Sequence, residues 1–388
     1  MNFVKQLPEV WQEKWQASGF DEPSAIQSKS FNPLSEGKNV RGISPTGTGK
    51  TLAYLLPLLL QINKGEGSQL LILAPSQELA MQIGQVAQEW AQPLQLKVQR
   101  LIGGANVNRQ IEKLKKKPEV LIGTPGRIME LIRAKKIKSH QLKMIVMDEA
   151  DLLLQKSELD LTRQILQSAP VDYQLAFYSA TADKIAEEVN ELAAEVLTID
   201  VMEEDQSAGK VQHYYIEVPF RKRKEFLQKM LHIPNFYGMV FFNQLTDLGA
   251  IEEKLTYEAL PVAGLASDQN KQLRKLAVGQ FAQKKIQMLL TTDVGARGLD
   301  FPAVDYVVNV DVPLDAVSYA HRAGRSGRMG ATGTVITFVN ERTKRDYQRL
   351  LKQIGISAAE LFIYDAQFQT EKKEQEKEQK RVKKSKKK

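Results

Sequence analysis

Short apolar segments alternate with segments of helical periodicity along most of the chain, and this alternation restricts the possible folds more than any other feature. In one of the helical segments, Leu79, Ile83, Val86 and Trp90 fall on a single face. Strands that alternate with helices are typical of parallel βαβ units, so we predict an α/β fold with parallel sheets flanked by helices. The predicted strands cover residues 70–75, 119–123, 144–147, 174–178, 238–243, 286–293, 306–312 and 333–339.

The alternation is interrupted once, by a polar, partly acidic stretch that ends in glycine. A chain of 388 residues is long for a single hydrophobic core, so two domains are expected. We therefore predict a first domain at 1–200, a linker at 201–211, a second domain at 212–368 and a disordered basic tail at 369–388.

The tail carries most of the net charge. From Glu371 to Lys388 there are ten Lys or Arg and four Glu, which is +6 of the +8 of the whole chain. With one apolar residue, this segment cannot bury enough surface to order itself. Two interpretations remain open for it, a solubilising terminus and an electrostatic tether for nucleic acid or another polyanion.

Several classes of protein are excluded by composition. The chain has no cysteine, so it has no disulfide, thiolate zinc site, iron–sulfur cluster or cysteine nucleophile. Its four histidines are too scattered to predict a metal cluster. The sequence shows neither a signal peptide nor an apolar run that could span a bilayer, and we expect a soluble cytoplasmic protein.

A glycine-rich turn at Ser44–Thr51, with the sequence SPTGTGKT, follows an apolar segment. Its backbone N–H groups can surround phosphate oxygens, and the helix that follows adds its positive N-terminus. In such a loop Lys50 reaches the β and γ phosphates and the Thr51 hydroxyl binds Mg²⁺. The loop predicts a nucleoside triphosphate site.

A second segment supports this prediction. Asp148 and Glu149 end the apolar run MIVM, which places them at the carboxyl edge of a parallel sheet, where ligands bind in such folds. There, Asp148 can hold Mg²⁺ through its waters and Glu149 can orient and deprotonate the attacking water. An acidic cluster that only caps a helix is the alternative.

Together the motifs closely resemble those of the DEAD-box ATP-dependent RNA helicases, whose name is spelled by residues 148–151. The resemblance spans almost the whole chain, and the motifs occur in the order found in the family. They are GFDEPSAIQ (19–27), SPTGTGKT (44–51), APSQELA (74–80), Gly103-Gly104, TPGR (124–127), DEAD (148–151), Ser179-Ala180-Thr181, MVFFN (239–243), TTDVGARGLD (291–300) and HRAGRSGR (321–328). The resemblance implies two tandem RecA-like domains.

The resemblance also implies roles in the nucleotide site. The Gln27 carboxamide would read adenine, which predicts ATP over GTP. Phe20 would pack on the adenine face, although a core role is equally consistent with the sequence. The second domain would supply Arg325 and Arg328 as arginine fingers. Further contacts to ATP are expected from Thr46, Gly47, Thr48, Gly49 and Asp300, and coupling between the domains from Ser179, Thr181, His321 and Arg322.

An RNA path is implied as well. It would use small or backbone-rich positions suited to phosphate and 2′-OH contacts, so sequence preference should be weak. These positions are Pro75, Ser76, Gly104, Thr124, Pro125, Gly126 and Arg127 in the first domain and Thr292, Asp293 and Gly295 in the second.

Three elements depart from the family pattern. Gln77 stands where the family usually has arginine, Ala266-Ser267 replaces His-Gly, and Lys271–Arg274 keeps only the arginine of a Gln-x-x-Arg element. These changes cluster around RNA binding and support between the domains. The nucleotide motifs are unaffected.

The resemblance implies an RNA-stimulated ATPase that uses ATP and Mg²⁺ to unwind or remodel short RNA duplexes or RNA–protein complexes without processive travel. An ATP-gated RNA clamp and a DNA translocase are the alternatives. We expect a monomer that does not bind membranes, with ribosomal precursors or RNA-decay complexes as candidate partners.

Overall fold

A computed structural model describes residues 3–20, 22–45, 47–180, 185–202, 204, 210–266, 269–296, 304–327 and 332–371, without the side chains of Lys156, Ser157 and Lys271. The chain divides into two compact units between residues 209 and 210. In both units the sheet strands are parallel and helices connect them, which confirms the predicted α/β class.

Seven of the described strands form the parallel sheet of unit 1, in the order β3-β4-β2-β5-β6-β1-β7. Their bounds are β1 Asn39–Ile43, β2 Leu70–Leu73, β3 Val98–Leu101, β4 Val120–Gly123, β5 Met144–Asp148, β6 Gln174–Ser179 and β7 Val196–Asp200. The helices are α1 Glu9–Ala17, α2 Ala25–Ser35, α3 Lys50–Leu59, α4 Gln77–Ala91, α5 Val107–Leu114, α6 Pro125–Arg133, α7 Ala150–Leu153, α8 Lys156–Gln167 and α9 Ala186–Leu192. Short 3-10 helices lie at Phe3–Gln6 and Ser139–Gln141.

The sheet of unit 1 is covered on both faces. Successive residues of β2 point to opposite faces, so Leu70 and Ile72 join one apolar cluster while Leu71 and Leu73 join the other. Trp11 of α1 is fully buried in the first cluster, and its indole N–H donates to the carbonyl of Trp90 at 2.9 Å. The amino-terminal segment is thus part of the core.

Unit 2 repeats the arrangement with the strand order β10-β11-β9-β12-β13-β8-β14, all parallel. The strands are β8 Val211–Glu217, β9 Gly238–Phe242, β10 Val262–Leu265, β11 Met288–Thr292, β12 Tyr306–Asn309, β13 Gly333–Val339 and β14 Ala359–Glu360. The helices are α10 Arg223–Leu231, α11 Leu245–Tyr257, α12 Lys271–Ala282, α13 Asp293–Ala296, α14 Ala316–Ala323 and α15 Lys344–Gln353, with a 3-10 helix at Phe220–Lys222. A separate antiparallel pair, β15 Phe362–Tyr364 and β16 Gln367–Gln369, follows.

The first residues of the predicted tail and of the predicted linker lie in ordered structure. Gln369, where the predicted tail begins, is the last residue of β16 and pairs with Phe362. Val201, where the predicted linker begins, is buried and donates to the carbonyl of Ile43. Residues 203 and 205–209 of the linker, and the tail from 372 onwards, lie outside the described residues.

Candidate functional site

The phosphate-binding loop connects β1 to α3 at the carboxyl edge of the first sheet. Gly47 and Gly49 have φ of 89° and 82°, a region that favours glycine. The hydroxyl of the buried Thr48 lies 2.9 Å from that of Ser44 and donates to the carbonyl of Pro45. Thr46 lies outside the described residues. The glycines thus permit the tight turn, and the two hydroxyls hold it closed.

The ammonium group of Lys50 lies inside this loop. It donates to the carbonyl oxygens of Ser44 at 2.7 Å and Pro45 at 2.8 Å. Because Lys50 is also the first residue of α3, its charge lies next to the positive end of the helix. Two positive features are therefore directed at one small volume, as an anion site requires.

Gln27 connects the amino end of α2 to this loop. Ser24 caps the helix, its backbone N–H donates to the Gln27 side-chain oxygen at 3.0 Å, and the Gln27 amide donates to the carbonyl of Gly49 at 3.2 Å. The carboxamide oxygen and nitrogen of Gln27 each make one hydrogen bond among the described residues, which leaves the second lone pair and the second hydrogen for a ligand. Phe20 is 37% exposed and lies against Trp15, so it is only partly a core residue.

Asp148 ends β5 and is buried beside α3. Its carboxylate accepts from the Tyr54 hydroxyl at 2.8 Å and from the backbone N–H of Glu149 at 2.9 Å. Burial, and then the charge of Glu149, raises the pKa of Asp148 to about 6, while the Tyr54 hydrogen bond and the Lys50 charge act in the opposite direction. Asp148 is therefore mainly ionised at neutral pH, but at a cost in desolvation.

Glu149 follows in a strained conformation. Its φ is 51°, in the left-handed region that disfavours residues with a side chain, and it occupies the N-cap position of the short helix α7 without a capping hydrogen bond from its side chain. Its Oε2 atom is buried and has no hydrogen-bond partner among the described residues. An unpaired carboxylate oxygen next to a buried strand end is costly unless a ligand or water contacts it.

Strand β6 lies between the strands that carry the loop and the acidic pair. The two motifs are thus not on adjacent strands, and the contact between them is made by Tyr54 of α3. Ser179, the last residue of β6, accepts a bond from the Ser44 N–H through its carbonyl at 3.2 Å. Thr181 lies outside the described residues. The serine motif is therefore bonded directly to the phosphate-binding loop.

The predicted RNA positions of unit 1 also lie at the carboxyl edge, after β2, β3 and β4. The first group lies at the start of α4, which Ser76 caps. Gly104 lies in the turn after β3, and Thr124, Pro125 and Gly126 lie at the start of α6. Pro75 precedes Ser76. The Arg127 guanidinium contacts Glu130 at 2.8 Å and the carbonyl of Ala105 at 3.4 Å.

Gln77, which departs from the family pattern, faces the glycine pair. A Cβ at Gly103 would lie 3.1 Å from the Gln77 amide nitrogen, and one at Gly104 would lie 3.6 Å from its oxygen. The neutral side chain thus packs against the turn that the two glycines form.

In unit 2 the predicted RNA positions form the turn after β11. The N–H of Gly295 donates to the Thr292 hydroxyl at 3.1 Å, and its carbonyl accepts from Arg274 at 3.3 Å. The arginine retained in the altered Gln-x-x-Arg element therefore supports this turn. A side chain at Gly295 would meet the carbonyl of Leu265 at 2.3 Å, so the position requires glycine.

Arg322, near the end of α14, is almost fully buried in unit 2. Its guanidinium makes two bonds of 2.7 Å to the Asp293 carboxylate and others to the side chains of Asn243 and Asn309. These contacts join three motifs within the unit. His321 lies on the same helix and Arg325 just beyond its end, whereas Asp300 and Arg328 lie outside the described residues.

Three residues with clear roles were not singled out from the sequence. Tyr54 binds Asp148, Asn243 binds Arg322, and Asn309 completes the latter network. A polar residue inside an otherwise apolar helix or at a strand end is the signal that marks each of them. Which partner each would meet depended on the fold.

Among the described residues no group of three or more His, Asp or Glu side chains is arranged to hold a metal ion. None of the described helices is both long and apolar enough to cross a membrane.

Comparison with known proteins gives two family models. The DEAD/DEAH box helicase model matches residues 24–189, and the helicase conserved C-terminal domain model matches residues 222–330. Together the two matches cover most of the chain.

Full-length relatives are similar throughout. The chain is 40% identical to the probable ATP-dependent RNA helicase YfmL of Bacillus subtilis, over 95% of the chain and 98% of the relative. It is 37% identical to the DEAD-box ATP-dependent RNA helicase CshC of Bacillus cereus, over 94% of each. Among solved structures, S. cerevisiae Dbp5 bound to RNA and ADP BeF3 superimposes with a TM-score of 0.82 at 29% identity, over 92% of this chain and 95% of that one.

Proposed function

The chain belongs to the DEAD-box family of ATP-dependent RNA helicases, and on that premise we propose which of its residues bind ATP, hydrolyse it and hold RNA. The protein is an RNA-stimulated ATPase that unwinds or remodels RNA locally, and its fold is that of two tandem RecA-like domains. The single observation that carries the assignment is the bond from Tyr54 of α3 to Asp148, because it brings the phosphate-binding helix and the acidic pair into one site.

ATP binds to the loop of unit 1. Residues Thr46–Gly49 surround the phosphates with backbone N–H groups, and Lys50 exchanges its carbonyl contacts for phosphate oxygens. Gln27 uses its remaining hydrogen and lone pair on adenine, with Phe20 against the base. The bond from Gln27 to Gly49 supports this role, since it places the carboxamide beside the loop.

The residues of this site fit a magnesium ion. Burial, and then Asp148, raises the pKa of Tyr54, while a side-chain hydrogen bond with Thr51 acts in the opposite direction, so the Thr51 and Asp148 oxygens both lie near one phenol. Thr51 and Asp148 would hold Mg²⁺ with the phosphates and waters, since that ion prefers oxygen ligands and keeps several waters. When bound, Mg²⁺ would neutralise charge on the β and γ phosphates.

Glu149 orients and deprotonates the attacking water. The buried, unpartnered Oε2 atom and the strained backbone support this role. By family resemblance, Arg325 and Arg328 are arginine fingers, which are typically worth three to five powers of ten in rate, or roughly 4–7 kcal/mol. The same resemblance assigns Asp300 to the nucleotide and Ser179, Thr181, His321 and Arg322 to coupling between the domains.

RNA follows the carboxyl edges of the sheets. In unit 1 the motifs at the ends of β2, β3 and β4 present backbone and small side chains, beside the strands that carry the ATP site. In unit 2 the turn at Thr292–Gly295 presents its backbone, while the Asp293 carboxylate is held by Arg322 and would act by shaping the turn. Contacts of this kind predict little sequence preference.

The remaining proposals concern the whole chain. We propose that the two domains cover residues 1–200 and 212–368 and are joined by the linker at 201–211. The protein acts as a monomer in the cytoplasm, and its basic tail at 369–388 binds RNA. Ribosomal precursors and RNA-decay complexes are the candidate targets.

The test is Glu149→Gln in the full chain. ATP affinity should stay within about twofold, while RNA-stimulated turnover should fall by about 10²–10⁴. Duplex displacement should be lost with it. Glu89→Gln, which neutralises an exposed glutamate of α4, is the matched control. Turnover near the control value would reject the assignment of Glu149, and RNA-independent turnover would reject the coupling.

A further inference from the structure

The amino edge of the first sheet, opposite the ATP site, is held together by one buried carboxylate. Glu119 is 1% exposed and accepts from the backbone N–H groups of Gly65 and Lys97 at 2.9 and 2.8 Å. These residues belong to the loops that precede β2 and β3, and Glu119 itself directly precedes β4. The loops at this edge therefore form one fixed surface.

Two turns of that surface are strongly basic. Helices α5 and α6 both lie against the same apolar cluster, and each ends at the amino edge in a lysine-rich turn. The first basic turn contains Lys113, Lys116 and Lys117, and the second contains Lys135, Lys136 and Lys138. All six lysines are exposed, and within the described part of the chain none of their side chains makes an ion pair or hydrogen bond.

The acidic residues nearby do not neutralise this surface. Glu112 is paired with Lys115 at 2.7 Å and Glu66 with Lys143 at 3.1 Å, and Glu119 is buried. Lys97 adds a further charge, and its ammonium donates to the carbonyl of Lys116, which connects the loop before β3 to the first basic turn. The positive charge of the two turns is thus uncompensated.

Stabilisation of the helix ends does not account for most of these lysines. The helix dipole acts within the last turn, and α5 and α6 end at Leu114 and Arg133. Lys117 and Lys135 lie beyond those ends with φ of 50° and 55°, where glycine fits better than lysine. Local backbone geometry therefore favours a different residue at two of the six positions.

The chemistry of the surface favours a polyphosphate partner. Protein interfaces are enriched in aromatic residues and depleted in lysine. The apolar residues within the turns, Pro118 and Ile137, are buried, so they offer a protein partner no anchor. Lysines spaced along an edge instead match phosphate groups along a nucleic-acid backbone.

We propose that Lys113, Lys116, Lys117, Lys135, Lys136 and Lys138 form a second RNA-binding surface, which holds a duplex segment flanking the one being remodelled. It lies at the opposite edge of the sheet from the predicted RNA path. Adjacent strands lie about 4.8 Å apart, so the edge from β3 to β5 extends about 15 Å, enough to contact several phosphates. Binding there raises the local concentration of structured RNA at the helicase site.

The test compares two full-length variants with four lysines removed. The first is Lys116→Gln, Lys117→Gly, Lys135→Gly and Lys138→Gln, in which the glycines suit the left-handed backbone and protect the fold. The control is Lys222→Gln, Lys254→Gln, Lys285→Gln and Lys352→Gln, four exposed lysines of unit 2 with the same change in charge. The probes are a hairpin with a long stem and a single-stranded extension, and a short unstructured oligonucleotide.

We expect the first variant to bind the hairpin roughly tenfold more weakly than the control, with a salt slope reduced by about one for each lysine that contacts phosphate. ATPase stimulation by the short oligonucleotide should stay unchanged, which separates this surface from the predicted RNA path. Equal losses in both variants, or no loss of hairpin affinity in the first, would overturn the proposal.

Discussion

The side-chain amide of Gln27 donates to the backbone carbonyl of Gly49, 3.2 Å away, so the residue predicted to read adenine also holds the phosphate-binding loop. A side chain at Gly49 would lie 2.3 Å from that amide nitrogen, which means that the close approach depends on glycine. Base recognition and loop geometry are thus connected through one carboxamide.

Gln27→Ala should therefore have two effects. Loss of the adenine contacts should reduce the preference for ATP over GTP by about tenfold, and loss of the Gly49 bond should weaken binding of both nucleotides. Competition binding with the two triphosphates measures both. Gln12→Ala removes a similar side-chain bond, to the carbonyl of Leu7, and should change neither. Unchanged selectivity in Gln27→Ala would remove the assignment to adenine.

Tyr54→Phe should shift the pH dependence of nucleotide binding. The Tyr54 hydrogen bond lowers the Asp148 pKa, which lies at about 6, so its loss should raise that pKa further. Protonated Asp148 binds Mg²⁺ poorly, so Mg-ATP affinity should fall as the pH is lowered. In the variant this fall should begin at a higher pH than in the unchanged protein. Titration of affinity against pH measures this. Tyr237→Phe, which changes a buried phenol of unit 2 that donates to the carbonyl of Phe281, should leave the curve in place.

Asp148→Asn should stabilise the nucleotide-free protein at neutral pH. The Asp148 pKa rises from 3.8 unfolded to about 6 folded, so ionisation opposes folding above pH 6 by up to about 3 kcal/mol. The penalty disappears as the pH falls from about 6 to below 4, because the carboxyl then becomes protonated in both states. Thermal unfolding across this range should show a gain at neutral pH only. A gain that is independent of pH would contradict the assignment.

The pair of Arg322 and Asp293 should be important for the stability of unit 2. Asp293→Asn leaves the guanidinium of Arg322, which is 1% exposed, buried without its carboxylate partner, so this substitution should cost about 3–5 kcal/mol. Arg322→Met combined with Asp293→Asn should recover part of that loss. Denaturant unfolding of the four proteins gives the coupling energy. A coupling near zero would indicate that Arg322 acts mainly outside unit 2.

Deletion of the chain after Glu371 should weaken RNA binding and flatten its salt dependence. The cut preserves β16, which ends at Gln369. ATPase activity at saturating RNA should remain nearly unchanged. An unaltered salt slope would favour the alternative interpretation, a solubilising terminus.

Most central strands of both sheets could be predicted from the sequence, but the edges could not. The central strand β1 was also missed, because asparagine, arginine and glycine interrupt its apolar residues. The predicted central strands are buried and have nearly continuous apolar sequences. They are β2, β4, β5 and β6 in unit 1 and β9, β11, β12 and β13 in unit 2. The outer strands β3, β7 and β14 were missed, because strands with exposed residues have shorter apolar runs. The outer strand β10 was missed although it has no exposed residue, because it is only four residues long and contains glycine. The missed β8, next to β14, is mostly half-buried, and Ile216 is its one fully buried residue.

The sequence by itself determined the family, the fold class and the set of nucleotide motifs, because loops that surround phosphate and buried strands depend on local residue order. Only the tertiary structure decided which side chains meet. Tyr54 and Asp148 are 94 positions apart, and Arg322 lies 79 positions from Asn243. The pKa of Asp148 and the uncompensated charge at the amino edge depend on such distant neighbours, since burial and electrostatic interaction are set by distance in space.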